Sequence, residues 1–415
     1  MMIERLLEKG LFNVMNELSY DKVIELTETY GAHNYAPLPV VIEKSDGVIV
    51  WDKNGKKYID LIGCYSAISH GHRNREITKT ALAQLDKLII TGRPVYTTEL
   101  AVFVQTLSEY TGMDVVLPMN TGAEAVETAL KCARRWGYKA KKIRKDKAEI
   151  ITAAGNFHGR TITIVGFSTE ESYQDGFGPF TPGFKIIPFN DIPALEAAIT
   201  KNTAAFLVEP IQAEGGVIVP HDGYLKEVRQ VCDKHNILFI CDEVQTGFGR
   251  TGKEFAHQWD GIKPDLMTLG KALGGGVVPI SAVVGKKDIL GYFTPGSHGS
   301  TFGGNPFACS IAVQSIIEMI REKLPERALK AGEKFMNGIK AFNSPHIKEV
   351  RGKGLLLGIE FKAESGTGHD FADKLLKNGI ITKDTHKQTI RITPPLTISD
   401  DEINQSLTIM ESVLQ

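Results

Sequence analysis

Five short apolar runs, each with a glycine, a carboxylate or a lysine near its carboxyl end, narrow the folds open to this chain. They are "AEIITAAGN" (148–156), "AAFLVEPI" (204–211), "ILFICDEV" (237–244), "LMTLGKA" (266–272) and "ISAVVGK" (280–286). Runs this short and this continuously apolar suit parallel strands buried on both faces. Between and before them lie helical patterns such as "GAEAVETALKCARRWGYKAKK" and "GYLKEVRQVCDKHN". The alternation from about 60 to 300 predicts an α/β fold with a large, doubly wound, mostly parallel sheet. After about 305 the rhythm changes: a long helical stretch, "IKEVRGKGLLLGIEF", an amphipathic segment, "TIRITPPL" and a last helix. The expected organisation is a large α/β domain over 61–305 and a smaller α+β domain over 306–415. An N-terminal segment, 1–60, packs with the small domain.

The charge balance, 48 Lys+Arg against 49 Asp+Glu, gives no reason to expect nucleic acid or an acidic membrane as partner. Charges interrupt the N-terminus every few residues, so no signal peptide or spanning segment is expected. The five cysteines are scattered without a CxxC pair, which predicts buried, reduced thiols and a cytoplasmic protein.

In an open α/β sheet, ligands gather at the carboxyl ends of the strands. Those ends carry "NTGAEAVET", "GNFHGR", "EPIQAEGG", "CDEVQTGFGR" and Lys271. "LGKA" lacks the P-loop frame, and "RGKGLLLG" reads as a glycine bend between two strands. His70 and His72 in "SHGH" have no neighbouring ligand set, so no metal is expected. Pyridoxal phosphate (PLP) fits what remains, because it needs a lysine, a carboxylate at its pyridine nitrogen, an aromatic face and phosphate donors. Lys271 supplies the first. Asp242, 29 residues earlier at a strand end, suits the second, although a helix cap or a salt bridge to Arg250 would equally explain an aspartate there. Phe157 suits the third, or is plain core. Gly122 and Ala123 at a helix start suit the fourth, or form an ordinary cap.

These motifs resemble the class III aminotransferases of fold type I, and among them most the ornithine aminotransferases. The likeness runs from about Glu25 to the C-terminus. It is carried by "LFICDEVQTGFGRTGKEFA", "KPDLMTLGKALGGGVVPISAVVG", "TYGAHNYAPLPVV", "GNFHGRTITIVG", "VEPIQAEGGV", "GSHGSTFGGNP" and "IRITPPL". The resemblance implies that Lys271 bonds the cofactor and then serves as acid and base, with Asp242 at the pyridine nitrogen. It implies that Gln245 lies near the phenolic oxygen, Phe157 and Val244 sandwich the ring, and Gly122 and Ala123 bind phosphate. Thr121 and His158 are counted with the cofactor contacts. Ser300 and Thr301 are expected to reach the phosphate of a neighbouring subunit, which makes a homodimer or larger homo-oligomer with shared sites the expected assembly.

For substrates the resemblance implies Tyr35, Tyr65, Arg160, Glu214 and Arg391. Ornithine must present its δ-amino group, glutamate its α-amino group. Glu214 would mask Arg391 in the first case and release it when 2-oxoglutarate arrives, with Arg160 taking the far carboxylate. The implied reaction gives glutamate 5-semialdehyde, which cyclises to pyrroline-5-carboxylate, and so serves arginine–ornithine–proline interconversion. Acetylornithine and 4-aminobutyrate aminotransferases are the rivals within the fold, and Tyr35 argues against both. A PLP racemase or aminomutase would keep Lys271 and Asp242 without needing 2-oxoglutarate. A non-catalytic protein would have no reason to keep either residue or the two arginines. The chain departs from its relatives at Ala213 and Gly215 around Glu214, at His158, and in "TGRPVYTT" (91–98).

Overall fold

The computed structural model describes residues 2–415. Its centre is a seven-stranded sheet in the order Val115–Met119, Ser281–Gly285, Leu266–Leu269, Leu238–Asp242, Thr203–Val208, Glu149–Ala153, Phe184–Ile187. Neighbouring strands from Leu266–Leu269 through Phe184–Ile187 run parallel. The run "ISAVVGK", expected to be parallel, is instead antiparallel to both its neighbours. An apolar run buried on both faces carries no mark of direction, so sequence periodicity could not tell the two apart. The reversal has a use: Ser281 lies opposite Met119 at the edge where the other strands end, and its Oγ donates to Thr121 O at 2.7 Å.

Both faces of the sheet are covered, and every residue of Thr203–Val208 and Leu238–Asp242 is buried. Phe206 and Phe239 are fully enclosed, each contributing about 1.5–3 kcal/mol by burial. The helix Gly122–Lys139 turns Ala125, Val126, Ala129, Leu130 and Trp136 onto this sheet. Four of the five cysteines are buried as expected; Cys64 is exposed, because it sits on a surface turn rather than in a strand or helix core.

Two smaller sheets flank the central one. Ile42–Asp46, Ile49–Asp52 and Lys57–Asp60 form a meander that ends on a parallel pairing with Ile380–Ile381. Ile347–Lys353, Leu356–Phe361, Thr389–Ile392 and Lys383–Thr385 form an antiparallel sheet. The glycine bend expected in "RGKGLLLG" is the turn of its first hairpin, with Gly354 at φ +55°. The long helical stretch after 305 is two helices, Pro306–Arg321 and Leu324–Ala341, broken at Lys323 (φ 50°). The N-terminal residues form three short helices, Met2–Lys9, Leu11–Glu17 and Tyr20–Tyr30.

The hairpin turn, the helix Leu324–Ala341 and the loop after Asp242 meet at backbone contact. A Cβ on Gly332 would lie 1.9 Å from Gly354 O, and one on Gly354 would lie 2.5 Å from Thr251 C. Gly332→Ala is therefore expected to destabilise by about 1–3 kcal/mol or more through overpacking, despite alanine's better helix propensity. Gly338→Ala on the same helix meets only Leu407 side-chain carbons, the nearest at 2.5 Å, which can rotate away. Thermal unfolding midpoints should rank Gly332→Ala well below Gly338→Ala; equal midpoints would contradict this packing.

Candidate active site

A cavity of about 190 Å³ opens at the carboxyl edge of the central sheet, lined by Gly122, Ala123, Phe157, His158, Glu209, Asp242, Val244, Gln245 and Lys271. Its position follows from topology, since five strand ends deliver their next residues to one place. Lys271 follows Leu266–Leu269 by two residues and has φ +47°, a left-handed conformation uncommon for a side-chain residue and typical of functional positions. Burial pushes its amine down to about 8, an effect opposed by the Glu214 carboxylate and reinforced by Arg391.

Asp242 is held on both oxygens. Oδ2 accepts from His158 Nδ1 at 2.6 Å, and Oδ1 accepts from Val244 N at 3.0 Å and Thr268 Oγ1 at 2.9 Å. The salt bridge to Arg250 that would have explained Asp242 structurally does not form, because Arg250 donates to Leu355 O, Pro394 O and Ser69 Oγ instead. Burial depresses the His158 imidazole, but the hydrogen bond and charge of Asp242, aided by Glu209, outweigh it and raise its pKa. The hydrogen bond thus orients Asp242 while the Asp242 carboxylate draws the His158 imidazole upward.

Glu209 belongs to this site and was not picked out from the sequence. It follows the strand Thr203–Val208 directly and accepts from Phe157 N at 3.0 Å. Burial, with the Asp242 and Glu214 charges in support, pushes it up to about 8, against the pull of His158 and the Phe157 amide. Its position at a strand end in "EPIQAEGG" was the available signal. By contrast Cys241, Glu243 and His257 form a buried cluster on the opposite side of the strand. There Glu243 is engaged by the His257 ring and by the amides of Ala256 and His257, which makes it a structural anchor.

The helix Gly122–Lys139 starts with a capping box. Thr121 Oγ1 accepts from Glu124 N, while Glu124 Oε2 accepts from Asn120 N and Thr121 N. Thr121 thus builds the cap, and the first-turn amides left over are those of Gly122 and Ala123. They face the cavity where the helix dipole favours an anion. Gly122 has no room for a side chain, since a Cβ would lie 2.9 Å from Val244 Cγ1. Gln245 Oε1 and His158 Nε2 are buried without hydrogen-bond partners. A lysine of lowered pKa, an oriented carboxylate, free helix amides and an aromatic wall together match the donor set that PLP requires.

Two arginines stand near this cavity, and they are treated differently. Arg391, buried in the strand Thr389–Ile392, pairs with Glu214 and lies 5.1 Å over the Tyr65 ring. Glu214 Oε1 also accepts from Gln245 Nε2 at 3.2 Å, and Thr385 Oγ1 donates to Glu214 O. Burial alone would raise the Glu214 carboxyl; Arg391 and Lys271 hold it below its usual value. Arg160 is exposed and has no carboxylate partner among the described residues, its guanidinium lying over Tyr173 at 3.8 Å and Phe157 at 5.7 Å.

Tyr65 rides on a left-handed turn, Gly63–Ser66, with φ of 53°, 46°, 56° and 77°. A side chain at Gly63 would strike Thr393 O at 2.5 Å, and Thr393 donates its N to Leu61 O and its Oγ1 to Ile62 O, both at 2.8 Å. The turn is thereby stapled two residues beyond Arg391. Gly215 explains one departure from the relatives, because a Cβ there would lie 2.8 Å from Gly155 O. Tyr35 is not brought into the cavity: it is 76% exposed, although it lies within electrostatic reach of Tyr65. Ser300 Oγ accepts from Asn120 Nδ2 at 2.8 Å, beside the capping box, and Thr301 is exposed.

The Aminotransferase class-III family model matches residues 30–414. The ornithine aminotransferase of Brevibacillus brevis is 52% identical over 392 residues, covering 94% of this chain and 98% of that protein. A solved ornithine aminotransferase from Toxoplasma gondii, with PLP at partial occupancy in its active site, is 42% identical with a TM-score of 0.95, covering 97% of this chain and 96% of its own. An acetylornithine aminotransferase structure from Elizabethkingia anophelis is also 42% identical, with a TM-score of 0.86, over 95% of this chain and 98% of its own.

An amine with a pKa of about 8 becomes neutral, and so nucleophilic, as pH rises through that value, well below the roughly 10.4 of a free lysine. In cofactor-free protein, acetylation of Lys271 followed by peptide mass spectrometry should show a half-maximal rate near pH 8. A midpoint near that of surface lysines would refute the buried, lowered amine.

Proposed function

The chain belongs to the class-III aminotransferases, and on that premise we propose that it transfers the δ-amino group of ornithine to 2-oxoglutarate, with PLP held at Lys271. The products are glutamate and glutamate 5-semialdehyde, which closes to pyrroline-5-carboxylate. The observation that carries the reading is the contrast between the arginines, Arg391 covered by Glu214 and Arg160 uncovered.

Bound PLP would supply an aldehyde that bonds the amine and a pyridinium ring that draws electrons from the neighbouring carbon. Gly122 and Ala123 amides would hold its phosphate, Asp242 its pyridine nitrogen, Gln245 its phenolic oxygen, and Phe157 and Val244 its two faces. The Lys271 amine moves the proton at the amine-bearing carbon, a task suited to a base with a pKa near neutrality. While Glu214 covers Arg391, an incoming α-carboxylate finds only Arg160. Ornithine bound there points its δ-amino group inward, with Tyr35 beside its α-amino group. When 2-oxoglutarate binds, its γ-carboxylate takes Arg160 and its α-carboxylate draws Arg391 from Glu214, a bidentate exchange suited to guanidinium geometry.

The site is proposed to be shared between two copies, with Ser300 and Thr301 reaching the partner's phosphate. In support, segments 89–96 and 300–307 are joined by Phe307 N donating to Ile89 O, and they expose Ile89, Ile90, Val95, Tyr96 and Phe302, an apolar face of the kind that partners cover. No helix among the described residues is long and apolar enough to cross a membrane; a cytoplasmic location is part of this proposal, supported by the five unpaired cysteines.

Ornithine alone should convert the PLP-loaded protein once and stop, with 2-oxoglutarate restoring the starting spectrum. Sustained racemisation without a keto acid would overturn the transferase reading, and a preference for N-acetylornithine would overturn the substrate. Lys271→Ala should lose the borohydride-sensitive visible absorbance, and turnover should fall by roughly 100- to 10,000-fold or more.

Glu214→Ala should leave Arg391 permanently open, so ornithine yields α-transamination products and glutamate becomes a better donor. Arg391→Ala should slow the 2-oxoglutarate half-reaction on the order of 100-fold and the ornithine half-reaction far less. Single-turnover rates with product identification check both. Wild-type δ-selectivity in a folded Glu214→Ala variant would remove the gate.

A further inference from the structure

An arginine that must take and release a carboxylate on each turnover needs to be held in place without using its N–H groups. Arg391 meets this by exchanging partners. Arg160 has no ion pair and no hydrogen bond among the described residues; its contacts are with two aromatic faces. We propose that Tyr173 is a positioning residue for Arg160, its ring stacking under the guanidinium and aiming the free N–H edge at the substrate's distal carboxylate. The inference rests on the reading of Arg160 as the distal carboxylate site.

The geometry supports a built mount. The Arg160 guanidinium carbon lies 3.8 Å from the Tyr173 centroid, the shortest cation-to-ring approach among the described residues. Phe157 and Tyr173 meet edge to face, centroids 6.0 Å apart at 78°, so Arg160 rests in a corner between two rings set nearly at right angles. That corner links the carboxylate site to Phe157 on the cavity wall.

Tyr173 is itself fixed. Its N donates to Glu170 O at 3.0 Å, and the next residue, Gln174, donates Nε2 to Val165 O at 3.0 Å and Ser168 O at 2.8 Å. The turn Glu171–Tyr173 thus hangs from the same loop that carries Phe157 and Arg160. Tyr173 lies within electrostatic reach of Glu214 and Arg391 as well as Arg160, so it stands near both carboxylate sites. A π face attracts the flat cation perpendicular to its plane and leaves the in-plane donors free. A carboxylate in the same place would have competed with the substrate.

The test uses the PLP-loaded protein and glutarate, a five-carbon dicarboxylate without an amine or a carbonyl to react. Calorimetric titration gives its Kd, and half-reaction kinetics give KM and kcat for ornithine and for 2-oxoglutarate. Tyr173→Leu should weaken glutarate roughly five- to tenfold and raise KM for both substrates by a similar factor, with kcat close to wild type. Tyr173→Phe, which keeps the ring, should restore all three to within about twofold of wild type. A folded Tyr173→Leu with wild-type glutarate affinity overturns the proposal, and so does a Tyr173→Phe as weak as the leucine variant, since the hydroxyl rather than the face would then matter. Should the leucine variant not fold, Tyr173→Met replaces it with the same expectations. Arg160→Gln separates the two readings. If it too binds glutarate normally, the distal carboxylate site is lost along with this inference; if it binds weakly while Tyr173→Leu binds normally, only the role of Tyr173 falls.

Discussion

Arg250 is a fully buried guanidinium with no carboxylate partner among the described residues, and the geometry of the site depends on it. It leaves the loop that begins at Asp242 and donates to Pro394 O, Leu355 O and Ser69 Oγ. Those three acceptors belong to the segment after Arg391, to the hairpin of the C-terminal sheet, and to the segment after Tyr65. One cation therefore ties the loop after Asp242 to the segments that follow Arg391 and its aromatic neighbour Tyr65. Burial pushes its pKa down to about 9, a cost that carbonyl dipoles offset without bringing a competing negative charge near Glu214. The glycine contacts at Gly332 and Gly354 let the same backbones close around it.

Within the cavity the charges form a graded set rather than isolated pairs. Asp242 and Glu209 flank the His158 region; burial and the neighbouring carboxylates raise Glu209 to about 8, so it keeps its proton near neutral pH, while Asp242 raises His158 against the effect of burial. Lys271 is lowered to about 8 because burial outweighs the carboxylates around it, so it gives up its proton far more readily than a free lysine. Each shift depends on the others, so the site acts as one electrostatic unit. Further out, the carboxylate of Glu214 shields one arginine while the rings of Phe157 and Tyr173 hold the other, and that difference separates the two ends of a substrate.

The sequence by itself determined a good deal, because much of the fold is written in local periodicity. The apolar runs marked five of the seven central strands, Glu149–Ala153, Thr203–Val208, Leu238–Asp242, Leu266–Leu269 and Ser281–Gly285, and the four of these that run parallel were then required to share a carboxyl edge. Lys271, Asp242, Gly122 and Phe157 were legible for that reason, as glycine-flanked or charged residues directly after buried strands. The family motifs named Glu214 and Arg391, which no local pattern would single out. What only the tertiary structure decided are relations between residues far apart in the chain. The reversed direction of Ser281–Gly285, the Arg250 clamp, the buried carboxyl of Glu209, the exposure of Tyr35 and the stacking of Arg160 on Tyr173 all depend on distances of a few ångströms between such residues. Hydrogen bonds, burial and π contacts decay over those distances, and linear spacing carries no record of them.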